Sequence, residues 1–160
     1  MNYCGNGIEL SLSAPELAGL LREVLAKGTA VRFLANGCSM TPFIRHGDII
    51  TVSPCTPADL CPGDIAAFAT SAGDRLIVHR IVGNRGNAFL AKGDNAINAD
   101  GLCPKSQVLG RVTRIERHGH DVHLGLGAER KIIALLSRIG VFPFLLTPTR
   151  SLLRAATANE

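Results

Sequence analysis

The segment Gly37-Cys38-Ser39-Met40-Thr41-Pro42 closes a short apolar run, and a serine two residues after a glycine suits a tight turn that exposes its hydroxyl. Such a turn also leaves backbone N–H groups free to converge on one point, as an oxyanion requires. A serine hydroxyl becomes a useful nucleophile at neutral pH only beside a base. Five histidines could serve: His46, His79, His118, His120 and His123. Of these, His79 lies in the most strand-like context, Leu76-Ile77-Val78-His79-Arg80-Ile81-Val82, and a polar pair inside so apolar a run needs a partner. Asp94 and Asp100 sit in the Gly- and Asn-rich stretch from Lys92 to Gly101, and either could orient a histidine. The residues at hand are those of acyl transfer by a serine, with the choice of carboxylate left open.

These side chains need a scaffold. A chain of 160 residues with 46% hydrophobic and 19% charged residues is long enough for one well-filled core. Ser13, Pro15 and Glu16 form a capping box with proline in the first turn, and Leu17, Leu20, Leu21, Val24 and Leu25 follow at helical spacing up to Gly28. Beyond that the period shortens. Apolar or alternating runs at Val31–Ala35, Ile49–Val52, Ile65–Ala69, Leu76–Val82, Ala88–Ala91 and Val108–Glu116, separated by turn residues, predict a compact, mainly β domain. His118 to His123 are expected to turn a hairpin around Gly119, and their H-x-H pattern fits a solvated hairpin better than a metal site. The expected organisation is an N-terminal helix over 1–29, a β domain over 30–126 and a C-terminal tail over 127–160.

That tail bunches apolar residues between Arg130, Lys131, Arg138, Arg150 and Arg154, and Pro143 and Pro148 predict that it is not one continuous helix. It reads as a helix packed on the sheet or, alternatively, as a peripheral membrane contact with basic residues near headgroups. The net charge of +4, with no basic run interleaved with aromatics, argues against nucleic acid as a partner. Cys4, Cys38, Cys55, Cys61 and Cys103 are odd in number and scattered, which predicts reduced thiols and a cytoplasmic setting. Met1 to Leu10 has no secretory pattern, and no run is long enough to span a bilayer.

The motifs S-M-T-P-F-I-R-H-G-D, G-D-I-A-A-F, V-H-R-I-V-G, K-G-D-N-A-I-N-A-D-G and V-L-G-R-V, in that order between Val31 and Ile115, resemble the type I signal peptidases. These belong with the LexA-like serine peptidases to one superfamily (S24/S26). The resemblance is strongest to the endoplasmic-reticulum, archaeal and spore-former branch, which has histidine and arginine where most bacterial members and the LexA-type repressors have a lysine base. It implies a signal-peptidase/LexA-like β fold and a serine endopeptidase without a cofactor. Ser39 would attack, His79 would shuttle the proton and Asp100 would orient His79. Asp94 is the alternative carboxylate, or else it shapes the loop and holds Arg80. Gly37, Cys38, Met40 and Pro42 would line the oxyanion and substrate region, with the Ser39 N–H as a donor, while the Cys38 side chain packs inward. Gly47-Asp48 and Gly63-Asp64 are expected to be turns that fix the sheet.

The substrate implied is an extended peptide or precursor protein cut after small residues. The lack of a membrane anchor points to a soluble maturation protease. Two alternatives remain, a non-catalytic peptide-binding module and a self-cleaving LexA-like regulator. The small-residue bond Ala18-Gly19 would suit the second, but it falls inside the expected helix.

Overall fold

The computed structural model describes residues 12–70 and 75–146, with the side chains of 145 and 146 left aside. Expectations on Met1 to Leu10, Cys4, Pro148, Arg150 and Arg154 lie outside the described residues.

Helix α1 (Ala14–Ala26) starts where the capping box places it: the Ser13 N–H and hydroxyl both donate to the Glu16 carboxylate, at 2.8 and 2.6 Å. Its apolar face buries Ala18, Leu21 and Leu25. Eight strands follow: β1 (Val31–Leu34), β2 (Ile49–Ser53), β3 (Ile65–Ala69), β4 (Leu76–Arg85), β5 (Ala88–Lys92), β6 (Gly101–Pro104), β7 (Val108–Arg117) and β8 (His120–Asp121). They form one antiparallel sheet in the order β1-β2-β7-β3-β4-β5-β6, with β8 paired to β7. The fold is mainly β, and the expected hairpin turns at His118-Gly119, leaving His118, His120 and His123 exposed.

β6 was not anticipated, because four residues that start with Gly101 and end with Pro104 carry no strand pattern of their own. The tail forms α2 (Arg130–Arg138) and α3 (Val141–Leu146). It is broken as expected, but at Gly140 (φ +79°) rather than at a proline. Pro143 sits in the first turn of α3, where its missing N–H costs no helical hydrogen bond.

Two apolar clusters lie on the two faces of the sheet strands. One gathers Leu21 and Leu25 of α1 with Met40, Ile50, Val52 and Ile115, and the other gathers Phe68, Ile81, Phe89 and Cys103. Burial pushes the Cys103 thiol above its ordinary pKa, which keeps it protonated and inert.

Mid-sheet, Gly110 is required by close approach. A Cβ there would stand 2.6 Å from the Ser53 carbonyl oxygen and 2.8 Å from Val52 Cγ1. Gly19, inside α1, has no atom within 4 Å of such a position. Gly110→Ala is therefore expected to cost about 2 kcal/mol through overpacking. Gly19→Ala should add about 0.5–1 kcal/mol from helix propensity and a less flexible unfolded chain. Thermal melts of the two variants should move in opposite directions, and a Gly110→Ala protein melting with the wild type would contradict this packing.

Candidate active site

Ser39 lies in the loop between β1 and β2, and that loop is tied at both ends. Ala35 N–H donates to the Asp48 carbonyl at 2.7 Å, and Gly47 N–H to the Ala35 carbonyl at 3.0 Å. The Asp48 carboxylate is itself buried, accepting from Arg45 N–H at 2.7 Å and from Arg117 Nε and Nη2, both at 2.8 Å. Burial alone would raise the Asp48 pKa, but the Arg117 hydrogen bonds, the Arg45 N–H and both positive charges hold it below the ordinary aspartate value. The peptide Thr41-Pro42 is cis.

His79 belongs to β4. Alternation along the strand sends its ring to one face and the Arg80 side chain to the other. The ring is close to both expected partners. Nδ1–H donates to the Asp100 carboxylate, which leaves the Nε2 lone pair to accept the Ser39 hydroxyl at 3.0 Å. The ring is 11% exposed and the Asp100 side chain 27%. Ser39, His79 and Asp100 thus form a continuous chain of hydrogen bonds. Ser39 N–H has no acceptor among the described residues, as an oxyanion donor requires.

Asp94 stands elsewhere. Fully buried, it takes Arg80 Nε at 2.9 and 3.1 Å and Arg80 Nη2 at 2.9 Å. Arg80 Nη1 donates to the carbonyls of Gly63 and Gly125, at 2.8 and 2.9 Å, and the guanidinium carbon lies 5.2 Å from the Phe43 ring centre. Of the two carboxylates, then, Asp100 touches the histidine and Asp94 holds the arginine.

The residues around Asp94 bind the nucleophile loop through its backbone. Asn95 N–H donates to the Ser39 carbonyl at 2.8 Å, and Asn95 Nδ2 to the Cys38 carbonyl at 3.2 Å. A Cβ on Gly93 would lie 2.7 Å from the Ser39 carbonyl oxygen and 3.1 Å from His79 Nε2, so no larger residue fits beside Ser39 and His79. Gly93 and Asn95 were missed as site residues. Both lie in the K-G-D-N motif, but contacts made to backbone leave no mark in residue chemistry.

A groove of about 620 Å³ opens at Ser39 and His79, lined by Leu17, Phe33, Met40, Leu76 and Val78 among others. Of the four residues expected around the oxyanion and substrate, Gly37 (φ +103°) and Met40 line the groove, and Cys38 and Pro42 lie outside its lining. The expectation that Cys38 packs inward is corrected: it is exposed, because the turn that buries Met40 points the preceding side chains out. Two strand edges border the groove. Among the described residues β1 pairs only with β2, and Leu76 to His79 of β4 pair only with β3, since pairing with β5 begins at Arg80.

Removing one charge from the buried pair should be costly, because the other is left uncompensated. Asp94→Asn is expected to destabilise the protein by about 3 kcal/mol or more, whereas Asp100→Asn, at the solvent edge, should leave the melting temperature nearly unchanged. Denaturant titration of the two variants separates the roles, and equal stabilities would contradict them. The Asp48 pair has a pH signature. Its stabilisation is present above the ordinary aspartate pKa and is lost as pH falls through the lower folded value. Asp48→Asn should therefore flatten the acid limb of stability against pH.

No curated protein gives a significant match to the chain. Residues 8–113, well over half of the chain and all of Ser39, His79, Asp94 and Asp100, match the family model described as Peptidase S24-like, a family of serine peptidases that includes LexA-like self-cleaving regulators. With this match and a LexA-like β fold that joins a serine to a histidine, the chain belongs to the Peptidase S24-like family.

Proposed function

We propose that the protein is a serine endopeptidase that cleaves an extended peptide or precursor by a Ser/His/Asp mechanism. The observation that carries this reading is the 3.0 Å contact of Ser39 Oγ with His79 Nε2, on a ring whose Nδ1–H is engaged by Asp100. In the mechanism, Ser39 Oγ attacks the scissile carbonyl while His79 Nε2 takes its proton. The developing oxyanion is met by the Ser39 N–H. Asp100 keeps Nδ1 protonated and stabilises the imidazolium, which then gives its proton to the leaving amine. Water repeats the cycle on the acyl-enzyme and frees Ser39.

The open edges of β1 and β4 favour a substrate laid as an added strand, held by main-chain hydrogen bonds. The apolar lining disfavours charged side chains next to the cut. Small residues at the first and third positions before it follow from the resemblance to signal peptidases, as does a role in precursor maturation. Self-cleavage at Ala18-Gly19 has less support, because that bond lies inside α1 with Ala18 1% exposed and cannot extend into the groove without unfolding the helix.

The test is cleavage of a mixed peptide pool read by mass spectrometry. Wild type should cut after small residues, and Ser39→Ala and His79→Ala should lose turnover while keeping the fold. Asp100→Asn should lower kcat by about 10²–10⁴-fold, since an unoriented histidine is in the wrong tautomer for much of the time. Turnover surviving in Ser39→Ala would end this reading. Peptide binding by the wild type without cleavage would favour a binding module instead.

A further inference from the structure

Helix α2 is apolar on both sides, and the described residues cover only one of them. Its inner face buries Ile133, Ala134 and Ser137, with the helix packed on β4. The buried Lys92 Nζ caps its end by donating to the Ser137 carbonyl at 2.6 Å. On the outer side Ile132, Leu135 and Ile139 are 64, 61 and 67% exposed. Spacings of three and four residues place them on one face. Phe144 of α3 is 81% exposed. A helix apolar on opposite faces belongs between two apolar media, and among the described residues the sheet provides only one.

Charge identifies the second. Lys131 and Arg138, at the two ends of α2, are exposed and have no ion-pair partner among the described residues. Lys131 lies in the first turn, where the helix dipole favours anions rather than cations, so its position does not serve the helix. From Glu129 to Arg154 the sequence has five basic residues and one acidic residue. That single carboxylate, Glu129, is taken up by the N–H groups of Gly125 and Gly127. A second copy of the chain docked here would set one basic face against another, which like-charge repulsion opposes. An anionic surface complements both the charge and the apolar stripe.

We propose that the outer face of α2 docks on the surface of an anionic lipid bilayer. Ile132, Leu135 and Ile139 enter the acyl boundary, and Lys131 and Arg138 meet headgroup phosphates. The helix lies in the interface: no described helix is long and apolar enough to cross a membrane. This docking is independent of peptidase chemistry.

Flotation of the full chain with vesicles of phosphatidylcholine alone, or with about 30% phosphatidylglycerol, tests it. Wild type should float with the anionic vesicles at low salt and dissociate at high salt. Lys131→Gln with Arg138→Gln should weaken partitioning about thirtyfold, from roughly 1 kcal/mol per basic residue. Ile132→Ser with Leu135→Ser and Ile139→Ser should abolish it. All these positions are exposed, and an unchanged circular-dichroism melt establishes that each variant is folded. Equal flotation with both vesicle types, or of the wild type and the serine variant, would overturn the proposal. So would a failure to float together with a dimer that the serine variant dissolves, which would assign this face to a second copy.

Discussion

Arg80 and Asp94 form a buried ion pair on which the mutual placement of Ser39 and His79 depends. A guanidinium with no exposure is costly unless its donors are used, and here Nε, Nη1 and Nη2 reach the Asp94 carboxylate and two backbone carbonyls. Such a pair contributes less to net stability than to position, because any displacement strands a charge in low dielectric. Position is what the site needs. Arg80 immediately follows His79 on β4, so fixing one side chain in the interior fixes the other on the opposite face. Asp94 lies between Gly93, which presses on Ser39 and His79, and Asn95, which binds the carbonyls of Ser39 and Cys38. Ser39 and His79 are forty residues apart in the chain, and this pair anchors the segments that carry both.

The groove arises from a mismatch of strand lengths. β4 has ten residues, but β5 has five and pairs only with the second half of β4. The first half keeps one open edge just before His79. β1, a four-residue strand at the end of the sheet, leaves another. Open edges invite uncontrolled pairing with other chains. Both stretches are short, and α1 contributes Leu17 to the same groove, which limits what can add to them.

Elements governed by local rules were legible in the sequence. The capping box located α1, and the apolar runs located six strands within a few residues. β6 was not legible, since it exists through its pairing with β5, and its own Gly and Pro argue against a strand. The break of the tail was read from Pro143, but the left-handed conformation at Gly140 makes it. For the site, residue types offered Ser39, five histidines and two aspartates, and the resemblance singled out Ser39, His79 and, ahead of Asp94, Asp100; the structure brings those three side chains together. Residue spacing alone left Asp94 and Asp100 equivalent; in the fold they part because the Arg80 side chain goes to Asp94 in the interior, while His79 on the other face meets Asp100.

That separation bears on the choice of base. A lysine, the base that the resemblance gives for most bacterial members and the LexA-type repressors, must be neutral to act, and burial or a neighbouring positive charge makes it so without a partner that fixes a tautomer. A histidine is readily neutral, but its two nitrogens are interchangeable until one is bound, so it needs a third residue to fix the tautomer. Asp100 sits at the solvent edge of a glycine- and asparagine-rich loop, a poor place from which to orient a ring unless the loop is held. Asp94, six residues earlier, holds it through Arg80. Lys92, the buried lysine beside this loop, is committed to the end of α2 and cannot take the part of a base. With a histidine in β4, Asp100 binds the ring at Nδ1 while Asp94, earlier in the same loop, ties that loop to Arg80, the next residue of the strand.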